Sequence, residues 1–307
     1  MIKIGEQLQN LCLNAQVEII IAAPFIKASI LKKLLDSIKS GLPIKCVTRW
    51  FPEEVLAGVT DLEVWLIIES YPNSSLWLRN DLHAKYYRAD QQCLIGSANL
   101  TANALGWSHH SNFELMVQLP ANFPEIQEFE THLWHNTIQV DFQIYQQYLE
   151  CVNQLKSQDF SLNLSPVQKQ EVSSYEEWIP NLRNPEDLYL AYTEQWDKLT
   201  YGARELAAYD LQALPVIPDL EQTAFNAYVG ILLLQKPVIQ KVDQWVKTPH
   251  RFGAIRDLLA SLPCAVTPNF NAERAWQTLM RWLLYFLPSR YALSVPNHSE
   301  IFYRINS

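Results

Sequence analysis

The first part of the chain is built from short apolar runs separated by polar turns, and the remainder has the longer period of helices. Arg49 and Trp50 end a predicted strand. Leu76–Arg79 and Leu82–Arg88 alternate aromatic and apolar residues with polar ones and predict extended chain. Ala89–Gln92 is a polar turn, Cys93–Ile95 a short returning strand, and Phe113–Leu119 a further strand. Asn99–Leu105 has the pattern of a helix start. From Pro124 to about Lys156 one long helix is predicted, with apolar positions at Ile126, Phe129, Leu133, Trp134 and Ile138. After a slight irregularity the stripe resumes at Ile144, Tyr148 and Val152.

Residues 157–174 are polar and predict a linker. From Tyr175 onward the pattern is helical. Asn184 followed by Pro185 marks a helix start, and further helices are predicted at 200–213, 221–247, 251–261 and 271–287. Pro237 kinks or splits the second of these four. The expected organisation is therefore a domain at 1–156, a linker at 157–174 and an all-α domain at 175–307.

At 307 residues the chain is long enough for two cores. Its five cysteines are scattered, odd in number and free of C-x-x-C pairs, which points to reduced thiols in a cytoplasm and away from a zinc finger or disulfide framework. The start of the sequence lacks a signal-peptide pattern, and no apolar run approaches the ~20 residues that span a bilayer. Net charge is −8, which argues against strong, sequence-independent grip on a long duplex. The first 115 residues hold 10 Lys and Arg against 11 Asp and Glu, so the acidity lies mostly beyond them.

The chemistry concentrates in His83-Ala-Lys85-Tyr-Tyr-Arg-Ala-Asp90 and Gly96-Ser97-Ala-Asn99. Side chains alternate along a strand, so His83, Lys85 and Tyr87 share one face. Gly96 permits close backbone approach to a ligand, and a helix opening near Asn99 would offer N–H groups to an anion. An imidazole, an ammonium, a hydroxyl and a carboxamide at one hairpin suit the binding of a phosphate diester and attack on it. Arg49, Arg79 and Arg88 are the expected contacts to the substrate's charge. His132 and His135, spaced i, i+3, could share a metal on a helix face, yet no third ligand is near and an exposed helix surface is the preferred reading.

The spacing His-x-Lys-x4-Asp followed by Gly-Ser-x-Asn resembles the HKD signature of the phospholipase D superfamily. The fit covers His83, Lys85, Asp90, Gly96, Ser97 and Asn99, with five residues between Asp90 and Gly96 where the commonly written pattern has six. The resemblance extends over roughly the first 150 residues: Val17–Phe25 resembles the family's first core strand, and Cys46–Trp50 with Gly58–Val64 is similar to the nuclease branch, which includes metal-independent restriction endonucleases and nucleases of bacterial defence clusters. It implies an α/β domain with a mixed sheet flanked by helices, followed here by the all-α region. It also implies that His83 attacks phosphorus and forms a phosphohistidine, while Lys85, Asn99 and Ser97 hold the phosphate oxygens. Glu114, in Asn112-Phe-Glu114, would orient the imidazole, and Asp90 would brace the hairpin. No metal or other cofactor is expected, because lysine and histidine supply the positive charge.

The family reaction uses two such histidines, and only one His-x-Lys occurs among the seven histidines of this chain. The resemblance therefore implies a homodimer with the active site on its two-fold axis. The expected function is a metal-independent nuclease acting on DNA or RNA, in antiviral defence. The alternatives are a phospholipid hydrolase, or a catalytically silent nucleic-acid-binding or scaffold subunit. The acidic C-terminal domain is the expected site of any protein partner, and no membrane association is expected.

Overall fold

The computed structural model describes residues 3–158, 178–266 and 270–305. The chain divides into two compact units, Met1–Tyr145 and Gln146–Ser307. Of the expected linker, only residues 157 and 158 fall among the described residues.

The first unit opens with helix α1 (Ile4–Leu13) and strand β1 (Ile19–Ala22). All four residues of β1 are buried, which is why its sequence is a continuous apolar run and not an alternating one. Helix α2 (Ala28–Leu35) leads to β2 (Ile44–Thr48), parallel to β1 with Ile19 opposite Ile44. The short helices α3 (Pro52–Leu56) and α4 (Val64–Glu69) precede β3 (Ser75–Leu78), parallel to β2. On the other side of β1 lie β4 (Lys85–Ala89), β5 (Gln92–Gly96) and β6 (Met116–Pro120), each antiparallel to its neighbour. Helix α5 (Pro124–Leu133) follows, and β7 (Ile138–Gln139) closes the far edge against β3. Among the described residues this is a seven-stranded mixed sheet of order β6-β5-β4-β1-β2-β3-β7, flanked by helices.

Alternation along the strands divides the core. Ile20, Ala22, Val47, Tyr86 and Cys93 face α5, packing with its Ile126 and Leu133 and with Leu82. Ile19 and Ile21 therefore take the opposite face, together with Cys46, Tyr87 and Leu94, their register partners and equivalents. The pairing also sets one end of the sheet. Ala22 lies opposite both Val47 and Tyr86, Lys85 opposite Gly96, and Gly96 opposite Met116. The C-terminal ends of the parallel strands and the start of β4 thus meet at one rim, where ligands bind in open α/β sheets.

The single long helix expected over 124–156 is two helices. Helix α5 ends at Leu133, and helix α6 (Phe142–Ser157) begins after β7. The break has a local cause and a tertiary one. Asn136 takes a left-handed φ of 54°, and Ile138, in a stretch with β-branched Thr137 and Val140, pairs with Leu78 at the open sheet edge. The helix expected at Asn99–Leu105 is also not formed. Leu100 makes a parallel bridge to Ile26 instead, with Lys27 N–H on the Leu100 carbonyl (3.0 Å) and Leu100 N–H on that of Phe25 (3.1 Å). The chain then runs through turns to Gly106, where φ is 73°.

The second unit is helical, with α7 (Asp187–Tyr192), α8 (Tyr201–Ala213), α9 (Gln222–Leu234), α10 (Pro237–Trp245), α11 (Phe252–Ala260) and α12 (Ala272–Phe286). Pro237 splits the expected 221–247 helix and stands in the first turn of α10, where its missing N–H costs nothing. Helix α9 is buried on nearly all sides and forms the centre of this unit. To the expected helices the structure adds a small antiparallel sheet, β8 (His250–Arg251), β10 (Ile301–Arg304) and β9 (Tyr291–Ser294) in that order. Its anchor is Asp243 of α10, which accepts two bonds from the Arg290 guanidinium (2.7 Å each), one from the Tyr291 hydroxyl (2.7 Å) and one from Arg304 (3.2 Å). A buried carboxylate so fully paired meets the requirement that charge out of water be compensated.

Candidate active site

The β4–β5 hairpin places the chemistry. A two-residue turn at Asp90 and Gln91 joins the strands, and Asp90 takes a φ of 52°, which aspartate tolerates. Its carboxylate accepts three backbone N–H groups from the entry to β1: Gln16 (2.7 Å), Val17 (2.9 Å) and Glu18 (3.0 Å). Burial raises the Asp90 carboxyl, but these bonds and the Arg88 charge more than offset it, so it lies below its ordinary value. Asp90 stands at the opposite end of β4 from Lys85 and ties the hairpin to the central strand.

At the other end the register sets Lys85 against Gly96. His83 lies two residues before Lys85 and is exposed; Ser97 lies one residue after Gly96 and is exposed as well. Lys85 is buried, 8 % exposed, and its ammonium donates to the His83 carbonyl at 2.7 Å. The bond closes the turn of chain that presents the imidazole. Ser97 donates its hydroxyl to the Glu114 carboxylate, which also accepts from the Asn112 amide at 3.0 Å. The Ser97 hydroxyl accepts the Leu115 N–H at 3.0 Å. Asn99 accepts the Phe25 N–H on its side-chain oxygen at 3.4 Å, so the other end of its carboxamide is the donor NH2. His83, Lys85, Ser97, Asn99 and Glu114 therefore come to one rim of the sheet. An ammonium, an amide donor and an exposed imidazole at one rim are suited to hold a phosphate diester and attack it.

Gly96 has a different role from the expected one. A Cβ on it would lie 2.0 Å from the Leu115 carbonyl oxygen and 2.7 Å from the Met116 sulfur. The close approach that requires glycine is that of β6, not of a ligand. The expected helix N-terminus is missing too, so no helix dipole at Asn99 is available to an anion.

The three arginines expected at the substrate are engaged elsewhere. Arg49 is buried, pairs with Glu54 through two bonds (3.1 and 2.5 Å), donates to the Leu82 carbonyl (3.3 Å) and lies between the rings of Phe25 and Phe51. Arg79 pairs with Asp81 at 2.7 Å and donates to the carbonyls of His132 and His135. Arg88 lies on the opposite face of β4 from Lys85 and pairs with Glu18 and with Glu130 (3.1 Å). Each guanidinium has a carboxylate close by: Arg49 and Arg79 form bidentate pairs with Glu54 and Asp81, and Arg88 meets Glu18 and Glu130 through one nitrogen. Trp50, beside Arg49, is fully buried.

His132 and His135 stack edge to face with ring centroids 5.4 Å apart, and the His132 Nδ1 is bonded to the Glu128 carbonyl. Among the described residues no group of three His, Cys, Asp or Glu side chains gathers as a metal site. His109 and His110 are exposed in the turns that lead to Asn112 and Glu114. Two supports have no sign in the motif itself: Arg49 under the Leu82 carbonyl, and Tyr87, whose buried hydroxyl donates to the Ala98 carbonyl at 2.8 Å. The strand alternation sends Tyr87 inward, and a buried phenol needs a partner, so this second support was open to discovery.

Residues 8–136 match the family model described as cardiolipin synthase, PLD-like domain, and so the N-terminal domain is phospholipase D-like. Among solved structures, NucT from Helicobacter pylori is similar at 16 % identity with a TM-score of 0.34, over 42 % of this chain and 83 % of that one. A second, the structure of TrmBL2, an archaeal chromatin protein described as showing a novel mode of DNA binding, is similar at 15 % identity with a TM-score of 0.29, over 45 % of this chain and 50 % of that one. No curated protein matches the chain. Among the described residues no helix is long and apolar enough to cross a membrane.

Proposed function

We propose that this chain, whose N-terminal domain is phospholipase D-like, is a metal-independent phosphodiesterase that cleaves nucleic acid through a phosphohistidine. The observation that carries the reading is the meeting of His83, Lys85, Ser97, Asn99 and Glu114 at one rim of the sheet. The His83 imidazole attacks phosphorus, a P–N bond forms and the P–O bond to the leaving group breaks. Lys85 and Asn99 hold the non-bridging oxygens as negative charge develops on them. Glu114 and Ser97 brace each other, and Asn112 braces Glu114, so the exposed donors keep their geometry. Water then attacks the phosphohistidine and restores His83.

The leaving oxygen needs a proton, and the chain carries one His-x-Lys. In this reading the second imidazole is the His83 of another copy, and the enzyme is a homodimer with its site on the two-fold axis. That copy supplies the proton in the first step and removes one from water in the second. The near-neutral charge of the first 115 residues suits short or single-stranded substrates better than long duplex. Defence against foreign nucleic acid in a cytoplasm is the setting that fits such an enzyme, with the second, acidic unit as a docking site for a protein partner.

The experiment is cleavage of labelled single-stranded DNA, duplex DNA and RNA in excess EDTA, with the wild type against His83→Ala, alongside measurement of solution mass. EDTA-resistant cutting by a dimer, lost in the variant, is expected. Turnover by a monomer would overturn the shared site. Hydrolysis of phospholipid vesicles in place of nucleic acid would move the same chemistry to the lipid alternative, and no turnover on any diester would leave a silent binding subunit.

A further inference from the structure

The two halves of the phosphate cradle come from different pieces of chain. Lys85 begins β4, and Ser97 and Asn99 lie in the loop after β5. The distance between them sets where the phosphate oxygens can sit, so something must fix the loop relative to the strand. Three of the bonds that hold the loop are these, beside those of the Ser97 hydroxyl and of Leu100. Ser97 N–H donates to the Leu115 carbonyl at 3.0 Å, and Phe25 N–H donates to the Asn99 side chain at 3.4 Å. The third comes from β4 itself. Tyr87 shares a face with Lys85 two residues away, is 1 % exposed, and donates its hydroxyl to the Ala98 carbonyl at 2.8 Å. Ala98 is fully buried and sits between Ser97 and Asn99.

We infer that Tyr87 is a positioning residue for phosphate binding: its hydroxyl ties the loop bearing Ser97 and Asn99 to the strand bearing Lys85. The inference rests on the reading of this rim as a phosphate site. The ring of Tyr87 fills the core, and phenylalanine would fill it as well, so the hydroxyl serves the loop and not the packing. Burial holds the phenol far above its ordinary value, and it remains a donor at every working pH.

The test uses orthovanadate, a mimic of the phosphoryl group in transfer, titrated calorimetrically into the full chain and into Tyr87→Phe, Asn99→Ala and the double variant. Loss of one hydrogen bond from the tie is expected to weaken vanadate about tenfold in Tyr87→Phe. Its melting midpoint should stay within a few degrees of wild type. Asn99→Ala should weaken vanadate on its own, and the double variant should be barely weaker than the worse single one, because both act on the same loop. A merely structural tyrosine would not couple to Asn99. Wild-type affinity in Tyr87→Phe, or losses that multiply in the double variant, overturns the inference. So does a Tyr87→Phe chain that no longer melts cooperatively, since the hydroxyl then serves the fold. A wild type that binds no vanadate overturns the phosphate-site reading itself, and the inference falls with it.

Discussion

The Ser97 hydroxyl donates to the Glu114 carboxylate and at the same time accepts the N–H of Leu115, so two segments 17 residues apart form one bonded unit at the rim of the sheet. Neither side chain is buried, and neither supports the core. Glu114→Gln should therefore leave the melting temperature within about 1–2 °C, as surface changes of a few tenths of a kcal/mol do. If Ser97 holds the reacting phosphate as proposed, turnover should fall by up to about 100-fold, the cost of a small displacement of such a group. Steady-state kinetics beside thermal melting checks this, and an equal loss of stability and activity would count against it.

Gly96→Ala should damage fold and activity together. The added methyl meets the Leu115 carbonyl oxygen at 2.0 Å, and backbone cannot swing away as a flexible side chain can. The expected cost is about 3 kcal/mol or more, with β6 and Glu114 displaced. Denaturant unfolding measures the stability, and loss of activity should follow it.

Asp90 makes the stability of the first unit sensitive to acid. Its folded carboxyl lies below the unfolded value of about 3.9, so its contribution is present above that pH and is lost as pH falls through the folded value. Asp90→Asn keeps the left-handed turn residue and removes the charge, and should cost about 1–2 kcal/mol at neutral pH. Melting profiles between pH 3 and 7 should converge for the two proteins at the acid end.

The second unit carries two buried carboxylates with opposite linkage. Burial raises Asp243, but the bonds and charges of Arg290, Tyr291 and Arg304 outweigh it and lower the carboxyl, so its stabilisation is lost in acid. Burial dominates at Asp210 and pushes it up to about 6, against the N–H groups of Leu182 and Asn181 that it accepts. A raised acid favours the folded state while protonated, so its contribution is full below about pH 4 and is lost as pH rises to about 6. Asp243→Asn should cost about 3–5 kcal/mol at pH 7, as breaking a buried pair does. Asp210→Asn should flatten the stability profile between pH 4 and 6, measured by chemical denaturation.

Parts of the sheet were legible: β1 is a continuous apolar run because all four of its residues are buried, β3 alternates because only every second residue is, and the polar turn at Asp90 and Gln91 marks the hairpin. The alternation from His83 to Tyr87, with the return to Gly96, was enough to bring Lys85, Ser97 and Asn99 to one end. Most of the failures are tertiary. Leu100 leaves the helical path because Ile26, 74 residues earlier, offers it a bridge, and Ile138 leaves it because β3 has an open edge. The three arginines carry no sign of where their carboxylates are. Arg88 is drawn to Glu18, 70 residues away, and Arg79 to the carbonyls that end α5. The strands at Tyr291 and Ile301 are too short and too aromatic to separate from helix by period alone.

The most direct measurement is capture of the covalent intermediate. A phosphodiester labelled at phosphorus is mixed with the protein in excess EDTA, quenched in denaturing alkali and digested. The account predicts label on the peptide that contains residue 83, stable in alkali and released by acid, and none on His83→Ala. Turnover with no label on the protein, or label and turnover that survive in His83→Ala, would contradict it.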